Sequence, residues 1–290
     1  MRAVAIACVL TAISFASGRP AAQAEKNVQC RPAGDLVRIA ELPEASGITA
    51  SREQRGRAWA HNDSADPMLV ALDERGRVTG RVQVPDAKVE DWEGLATGPC
   101  SAGSCLYIAD IGDNGADRER ITVYRMPEPA GAAPATSEAL HATYPDGKHD
   151  AETILVTPTG EIFVVTKGET GPVALYRFPE DAKPGTTVEL VRVGPPRNSK
   201  GNTAGDRITD GAISPNGAWV VLRTKDDLRF YPARAFLSGN WAERGQVDVR
   251  ALGEPQGEGV TFADDRTLLL AGEGGGKSRS GTFARLACTF

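Results

Sequence analysis

Acidic side chains recur at one position of a repeated pattern in this sequence, where an acid or a hydroxyl is followed by a small residue and an apolar run. The five occurrences, 47 to 59 residues apart, are Ser46-Gly47-Ile48, Glu93-Gly94-Leu95, Glu152-Thr153-Ile154, Asp210-Gly211-Ala212 and Glu258-Gly259-Val260. Carboxylates can ligate a hard cation or exchange protons with a substrate. The repetition therefore predicts a polar site that is built from distant parts of the chain.

A second set of polar residues follows these apolar runs. Each run is succeeded by a turn and a second apolar run that ends in polar residues. A hairpin places the start of its first strand and the end of its second strand at the same end. The predicted site therefore also contains Asn62, Asp63, Asp110, Asp113, Lys167, Arg223 and Glu273.

The repeat length indicates the fold. A period in this range with several short strands in each repeat is typical of a β-propeller. We predict an all-β fold, a single β-propeller of five four-stranded blades, and a sixth blade would need an unrecognised repeat within residues 183–207. The last repeat supplies only three strands, so we expect the N-terminal strand at residues 35–40 to complete it and close the ring, which covers two sheet edges.

The N-terminus has the pattern of a secretory signal. Residues 1–24 contain Arg2, an apolar core too short to span a membrane, and the cleavage site Ala22-Gln23-Ala24. Residues 25–290 then form one propeller domain, secreted or periplasmic, with no membrane span and expected to be a monomer. The formal net charge of −5 argues against nucleic-acid binding, because an acidic protein repels phosphate.

Four cysteines lie beyond the signal. An even number in an oxidising compartment indicates two disulfides, for which three pairings exist. Cys100 and Cys105 flank a tight hairpin loop, while Cys30 and Cys288 lie near the two chain ends that a ring must bring together. We therefore predict the bonds Cys100–Cys105 and Cys30–Cys288.

The predicted mouth of the ring needs a countercharge. So many carboxylates cannot all be ionised at close range without one, and Ca²⁺ accepts carboxylate, amide and carbonyl oxygens in flexible geometry. Lys167 and Arg223 either neutralise adjacent acids or hold an anionic substrate, Arg223 in bidentate fashion and Lys167 as a point charge. A further alternative is a purely structural ring with salt-bridged acids and no ion.

Several segments together carry a family resemblance. They are HNDS at 61–64, DWEGL from Asp91, ADIGDN from Ala109, YPDGKHDAE from Tyr144, SPNG from Ser214 and QGEGV from Gln256. The chain resembles a family of exported bacterial β-propellers, mostly uncharacterised, and more distantly the SdiA-regulated and phytase-like propellers and the calcium-dependent lactonases of the gluconolactonase type. This resemblance implies an axial divalent metal and hydrolysis of a phosphoester or lactone. The positions implied as metal ligands by matching motifs are Asn62, Glu93, Glu152, Asp210 and Glu258.

Two functional hypotheses follow. The first is a Ca²⁺-dependent hydrolase of a small anionic or lactone substrate, in which Glu152 takes a proton from water while Lys167 and Arg223 orient the substrate. The alternative is a non-catalytic propeller whose loops at residues 198–207 and 272–281 recognise a glycan, a surface polymer or a partner protein, the ion being structural or absent.

Overall fold

The computed structural model describes residues 28–64, 66–101, 103–130, 136–169, 171–194, 206–276 and 279–290. The signal predicted at residues 1–24 lies outside the described residues, as does most of the loop at 198–207. The signal peptide therefore stays a prediction.

The described residues form five sheets, antiparallel except for one added outer strand, which are the five blades of a β-propeller. The first blade contains β3 (Ala45–Ala50), β4 (Ala58–Asn62), β5 (Met68–Leu72) and β6 (Val78–Gln83). The second contains β7 (Trp92–Cys100), β8 (Gly103–Asp110), β9 (Ile121–Pro127) and β10 (Glu138–Thr143). The predicted all-β, five-bladed fold is confirmed, and the six-bladed alternative is not needed.

The remaining blades follow the same order along the chain. The third contains β11 (Ala151–Val156), β12 (Ile162–Thr166), β13 (Leu175–Arg177) and β15 (Val191–Gly194). The fourth contains β16 (Ile208–Ile213), β17 (Trp219–Thr224), β18 (Asp227–Pro232) and β19 (Gly245–Asp248). The fifth contains β20 (Gln256–Asp264), β21 (Thr267–Glu273) and β22 (Gly281–Thr289). One α-helical turn (Ala233–Phe236) and one 3₁₀ turn (Arg250–Leu252) interrupt the strands.

The N-terminal segment closes the ring in two pieces. Strand β1 (Gln29–Pro32) pairs with the end of β22, and β2 (Val37–Ile39) pairs with its beginning. The closure predicted for residues 35–40 is therefore confirmed, and a second short strand extends it. Both predicted disulfides form, and Cys30 and Cys288 are direct register partners on β1 and β22.

One outer strand differs from the expected pattern. The stretch at residues 187–193 has the β-branched pattern of one strand but is split, because β14 (Thr187–Glu189) pairs in parallel with β10 of the second blade. The following residues, in β15, pair with β13 of the third blade. This segment therefore links the outer edges of two neighbouring blades.

Apolar side chains from adjacent blades form the core. The buried clusters lie between blades rather than on one face of each sheet, so both faces of most strands are covered. This explains why many strands are continuous apolar runs instead of alternating ones. None of the helices in the described part of the chain has the length and apolarity to cross a membrane.

Candidate functional site

An axial cavity of about 460 Å³ opens at the end of the ring where the innermost strands begin. We call it the axial cavity. Seven of its lining side chains are carboxylates and three are cations. Its walls are Ser46, Asp63, Asp91, Glu93, Asn114, Glu152, Lys167, Glu169, Arg207, Thr209, Lys225, Gln256, Glu258 and Glu273.

Irregular strand pairing directs side chains into this cavity. In every blade the register between the first and second strands shifts near the first strand's start. The residues that the ladders skip include Glu93 in β7, Glu152 in β11 and Glu258 in β20. A bulge of this kind re-aims a side chain, so the chain points one polar residue of each blade at the axis.

The fourth blade uses a different residue from the predicted one. Its ladder pairs Ile208 with Thr224 and Asp210 with Arg223, so the skipped residue is Thr209. Thr209 lines the axial cavity and donates a hydrogen bond of 3.0 Å to the Glu258 carbonyl. Asp210 therefore points away from the cavity, since neighbouring residues of a strand face opposite sides.

A chain of hydrogen bonds crosses the cavity floor. The Ser46 hydroxyl donates to Glu93 Oε2 at 2.6 Å, and the carboxyl groups of Glu93 and Glu152 are hydrogen-bonded to each other. Lys167 Nζ lies 2.5 Å from Glu152 Oε1 and 3.3 Å from Asp150 Oδ2. Two carboxyl groups and an ammonium group are thus in direct contact.

Burial raises the pKa values of both carboxyl groups of this pair. Burial and the charge of Glu152 raise the pKa of Glu93 well above its usual range. Burial also raises the pKa of Glu152, but the Lys167 ammonium opposes the rise and leaves it at about 7. Glu93 therefore binds its proton more strongly than an ordinary glutamate does, and Glu152 titrates near neutral pH.

The lysine itself stays charged. Burial lowers the pKa of Lys167, but the neighbouring carboxylates of Glu152 and Asp150 outweigh it and raise the pKa above its ordinary value. Its ammonium group also donates a hydrogen bond of 3.1 Å to Asn114 Oδ1. Lys167 thus supplies a permanent positive charge among the acids.

Three more carboxyl groups in the cavity have raised pKa values. Burial and the nearby Glu152 charge raise the pKa of Glu258 to about 8, although Gln256 donates a 2.7 Å hydrogen bond to it. Burial raises the pKa of Glu273 to about 7 and that of Asp91 to about 6, with help from nearby acids. The cavity therefore exchanges several protons between pH 6 and pH 8.

The structure brings six of the predicted polar residues to the cavity. They are Asp63, Glu93, Glu152, Lys167, Glu258 and Glu273.

The other five predicted residues, Asn62, Asp110, Asp113, Asp210 and Arg223, do not line the cavity. Asn62 accepts a hydrogen bond from the Glu44 amide and donates one to the Glu41 carbonyl. Asp110 binds Arg118 Nη1 at 2.9 Å, and Asp113 accepts the backbone amides of Asp117 and Arg118.

Arg223 and Asp210 form part of the packing between blades. Arg223 is fully buried, pairs with Glu254, and donates to the carbonyls of Gly259 at 2.7 Å and Ala271 at 2.9 Å. Asp210 accepts the Val260 amide at 2.8 Å. These bonds join the fourth blade to the fifth, so the substrate-orienting role predicted for Arg223 is not available to it.

Among the site residues that the sequence reasoning missed are two aspartates. Asp91 lines the cavity and Asp150 contacts Lys167. Each stands two positions before a column glutamate, in the motifs Asp91-Trp92-Glu93 and Asp150-Ala151-Glu152. Residues two apart on a strand face the same side, so this spacing is a signal that could have found them.

Glycines next to the axial acidic residues allow the innermost strands of neighbouring blades to lie close together. A Cβ atom on Gly94 would lie 2.6 Å from the Ile154 amide nitrogen, and one on Gly259 would lie 2.7 Å from the Ser46 carbonyl oxygen. Innermost strands of neighbouring blades therefore touch backbone to backbone, which leaves room only for glycine at these two positions. A separate recess at the opposite end of the axis shares no lining residue with the axial cavity.

The predicted calcium site does not assemble from these residues. Within the part of the chain that the structure describes, no group of three or more His, Cys, Asp or Glu side chains is arranged to hold a metal ion. Asn62 and Asp210 are bonded to backbone groups outside the cavity, and Glu152 is bonded to Lys167. The five-residue ligand set therefore does not fit Ca²⁺ in this arrangement.

Comparisons with known proteins show the fold. The chain is similar to the PQQ-bound aldose sugar dehydrogenase from Streptomyces coelicolor, with 11% identity, 91% of this chain and 99% of that chain covered, and a TM-score of 0.55. A weaker match is a catalytically inactive virginiamycin B lyase from Staphylococcus aureus, with 12% identity, 90% of this chain and 99% of that chain covered, and a TM-score of 0.46. Another is a streptogramin B lyase, with 14% identity, 92% of this chain and 100% of that chain covered, and a TM-score of 0.45. No protein-family model matches the chain. No curated protein sequence matches it either.

Proposed function

We propose that the axial cavity is the active site of a hydrolase that opens a small uncharged lactone by general acid–base chemistry. The observation that carries this proposal is the contact series Glu93, Glu152 and Lys167 in one cavity. Two carboxyl groups whose surroundings push their pKa values apart are the usual basis of an acid and base pair.

Each of the three groups has a distinct task in this reaction. Glu152, with a pKa of about 7, accepts a proton from the attacking water. The Lys167 ammonium donates a hydrogen bond to the lactone carbonyl oxygen and stabilises the negative charge that develops there. Glu93, whose pKa is raised, in its protonated form supplies a proton to the ring oxygen that leaves when the acyl bond breaks. The proton taken by Glu152 then passes to Glu93 through their hydrogen bond, so water and lactone give one hydroxy acid.

The charge of the cavity favours a neutral substrate. Seven lining carboxylates face three cations, and only some of the carboxylates are protonated at neutral pH. A phosphoester would be repelled by this excess, whereas a lactone enters uncharged. The product is an anion and is expelled by the same field, so a lactone is the better match of the two substrate classes.

The test is turnover of a panel of γ- and δ-lactones and p-nitrophenyl phosphate at pH 8. We expect lactone hydrolysis that falls at least 100-fold in Glu152→Gln and is retained in Glu169→Gln, because Glu169 is paired with Arg207 at the rim. Absence of lactone turnover across the panel, or full activity in Glu152→Gln, would contradict the proposal. Turnover of the phosphoester alone would overturn the choice of substrate.

A bound divalent cation is the second candidate, and the excess of carboxylates favours it. Glu93, Glu152 and Glu258 would hold Ca²⁺ only after a rearrangement in which Lys167 leaves Glu152, because no three acids are arranged for a metal in the described part of the chain. The ion would supply polarisation of a substrate carbonyl. Thermal unfolding with Ca²⁺ and with chelator at pH 8 tests this, and proton release on binding, measured by calorimetry in two buffers, is a second readout. Equal melting temperatures with Ca²⁺ and with chelator would count against the ion.

The two disulfides support a location outside the cytoplasm. Such bonds form and persist in oxidising compartments, which fits the secreted or periplasmic location that the N-terminal pattern predicts. Fractionation of cells that express the full chain, with N-terminal sequencing of the mature protein, checks both the location and the cleavage after Ala24.

A further inference from the structure

Four arginines line a groove on the face of the ring opposite the axial cavity. The groove has a volume of about 440 Å³ and lies between the first and fifth blades. Its cations are Arg52, Arg55, Arg57 and Arg285. We call it the arginine groove. It is formed where strands of these blades end, whereas the axial cavity is formed where the innermost strands begin.

None of these four guanidinium groups forms an ion pair within the described residues, although three carboxylates share the groove. Asp73 is bonded to Arg77, and Asp264 accepts the Arg266 amide. The third, Glu74, packs with its Oε1 where a Cβ on Gly56 would lie. None of these carboxylates is within ion-pair distance of a groove arginine, and the further carboxylate whose charge acts on Arg52, that of Glu128, does not line the groove.

The arginines are held in place by contacts that leave their charge available. Arg57 lies over the Trp59 ring, with its Cζ 5.5 Å from the ring centre. Arg285 Nη1 donates to the Glu74 carbonyl at 3.2 Å, while its Nε is buried without a hydrogen bond. A guanidinium fork held in this way matches the geometry of an oxyanion.

A mostly uncharged recess adjoins the arginine groove. This recess has a volume of about 340 Å³ and lies at the end of the axis opposite the carboxylates. It shares Ala50, Ser51, Arg52 and Ala263 with the groove. Its other walls include Ile154, Val156, Ile213 and Phe262, with the hydroxyls of Thr49 and Thr97. A molecule with an anionic head and a compact neutral body would fill both spaces.

We propose that the arginine groove binds the phosphate group of a small phosphomonoester, whose uncharged body lies in the adjoining recess. This site is separate from the axial cavity, with which neither space shares a lining residue. The two ends of the ring therefore select ligands of different charge. Carboxylates surround one end and unpaired guanidinium groups flank the other, so an anion approaches from the arginine side.

Calorimetric titration with inorganic phosphate and phenyl phosphate at constant ionic strength tests the site. We expect phenyl phosphate to bind the tighter of the two. Both should bind at least 10-fold more weakly in Arg55→Gln and in Arg57→Gln, since each removes a charge-assisted contact. Arg55 is exposed and makes no hydrogen bond or ion pair within the described chain, so its substitution leaves the fold intact.

The matched control is Arg234→Gln, which removes the charge of another exposed arginine on the helical turn of the fourth blade. It should bind both probes as the unaltered protein does. No measurable phosphate binding, or the same loss in Arg234→Gln as in Arg55→Gln, would overturn the site.

The recess is tested separately by Ala263→Leu. Ala263 is exposed and lines both the groove and the recess, so a larger side chain there narrows their junction. Phenyl phosphate should lose its advantage over inorganic phosphate, whose affinity should not change. Equal affinity of the unaltered protein for phenyl phosphate and inorganic phosphate would show that the recess does not bind the uncharged part of the ligand.

Discussion

Lys167 controls the protonation of Glu152, because its ammonium group is 2.5 Å from that carboxylate and opposes the rise of the Glu152 pKa caused by burial. We predict that Lys167→Met raises the pKa of Glu152 above its present value of about 7. Carboxyl ¹³C chemical shifts followed through a pH titration measure this directly. Lactone hydrolysis in this variant should need a higher pH for the same reason.

The control for this experiment is Lys225→Met. Lys225 lines the same cavity but forms no ion pair with Glu152 in the described structure, so the Glu152 titration should move little. If both lysine variants shift it equally, the general field of the cavity, and not the direct contact, sets the Glu152 pKa.

Glu258 links the stability of the protein to pH. Burial raises its pKa to about 8 in the folded protein, against roughly 4.3 in an unfolded chain. Between these values the folded state holds a proton that the unfolded state has released, so stability decreases as pH rises. We predict that the free energy of unfolding falls by at least about 2 kcal/mol from pH 5 to pH 8.

Denaturant unfolding at several pH values measures the slope of the free energy of unfolding against pH. Glu258→Gln should flatten it, whereas Glu180→Gln, which alters an exposed glutamate, should not. A slope that is the same in Glu258→Gln and the unaltered protein would show that other groups carry the proton linkage.

Only some of the individual residues of the site could be predicted from the sequence. Glu93, Glu152 and Glu258 could be placed at the axis because the repeat aligns them. The axial residue of the fourth blade could not be predicted from this alignment. The β-bulge of that blade directs Thr209 into the cavity, and Asp210 instead accepts the Val260 amide of the neighbouring blade. Arg223 is the cross-strand partner of Asp210 and turns away with it. A shift of one residue in register leaves no mark in composition or spacing.

The innermost strands set how closely the blades approach one another. A Cβ on Gly94 would lie 2.6 Å from the Ile154 amide nitrogen of the next blade, which backbone atoms cannot relieve by a rotamer change. We predict that Gly94→Ala lowers the free energy of unfolding by about 1–3 kcal/mol. The measurement is denaturant unfolding monitored by tryptophan fluorescence.

Gly171→Ala is the matched control for the glycine experiment, since no atom lies within 4 Å of a Cβ placed there. It should change stability by less than about 0.5 kcal/mol. If Gly94→Ala is equally neutral, the strands have room to separate and the glycine is not required by packing.

Most strands could be predicted because apolar runs alternate with turn residues. One exception is the stretch at residues 187–193, which the structure divides between two blades. A β-branched run predicts a strand, but it does not tell which sheet edge receives it. That choice depends on the geometry of two blades together, which the local sequence does not contain.

The Cys30–Cys288 bond holds the ring closed over the whole chain, with a sequence separation of 258. Cys100–Cys105 has a separation of only 5. Chain entropy gives about 5 kcal/mol for the long loop and about 2 kcal/mol for the short one. We predict that replacing Cys30 and Cys288 by serine destabilises the protein more than replacing Cys100 and Cys105.

Guanidinium unfolding of the two double variants under oxidising conditions compares them. Equal losses of stability would mean that the paired strands β1 and β22 keep the ring closed without the covalent bond. The architecture itself was readable from the sequence, since the repeat count gives five blades and the cysteine positions give both disulfides.

The two-piece closing strand also imposes an order of events on a newly made chain. Strands β1 and β2 are the first of the described strands along the chain, yet their partner β22 is the last of them. These two strands must therefore wait unpaired until β22 has been made. A nascent propeller of this kind stays an open arc until the last strand of its fifth blade is present.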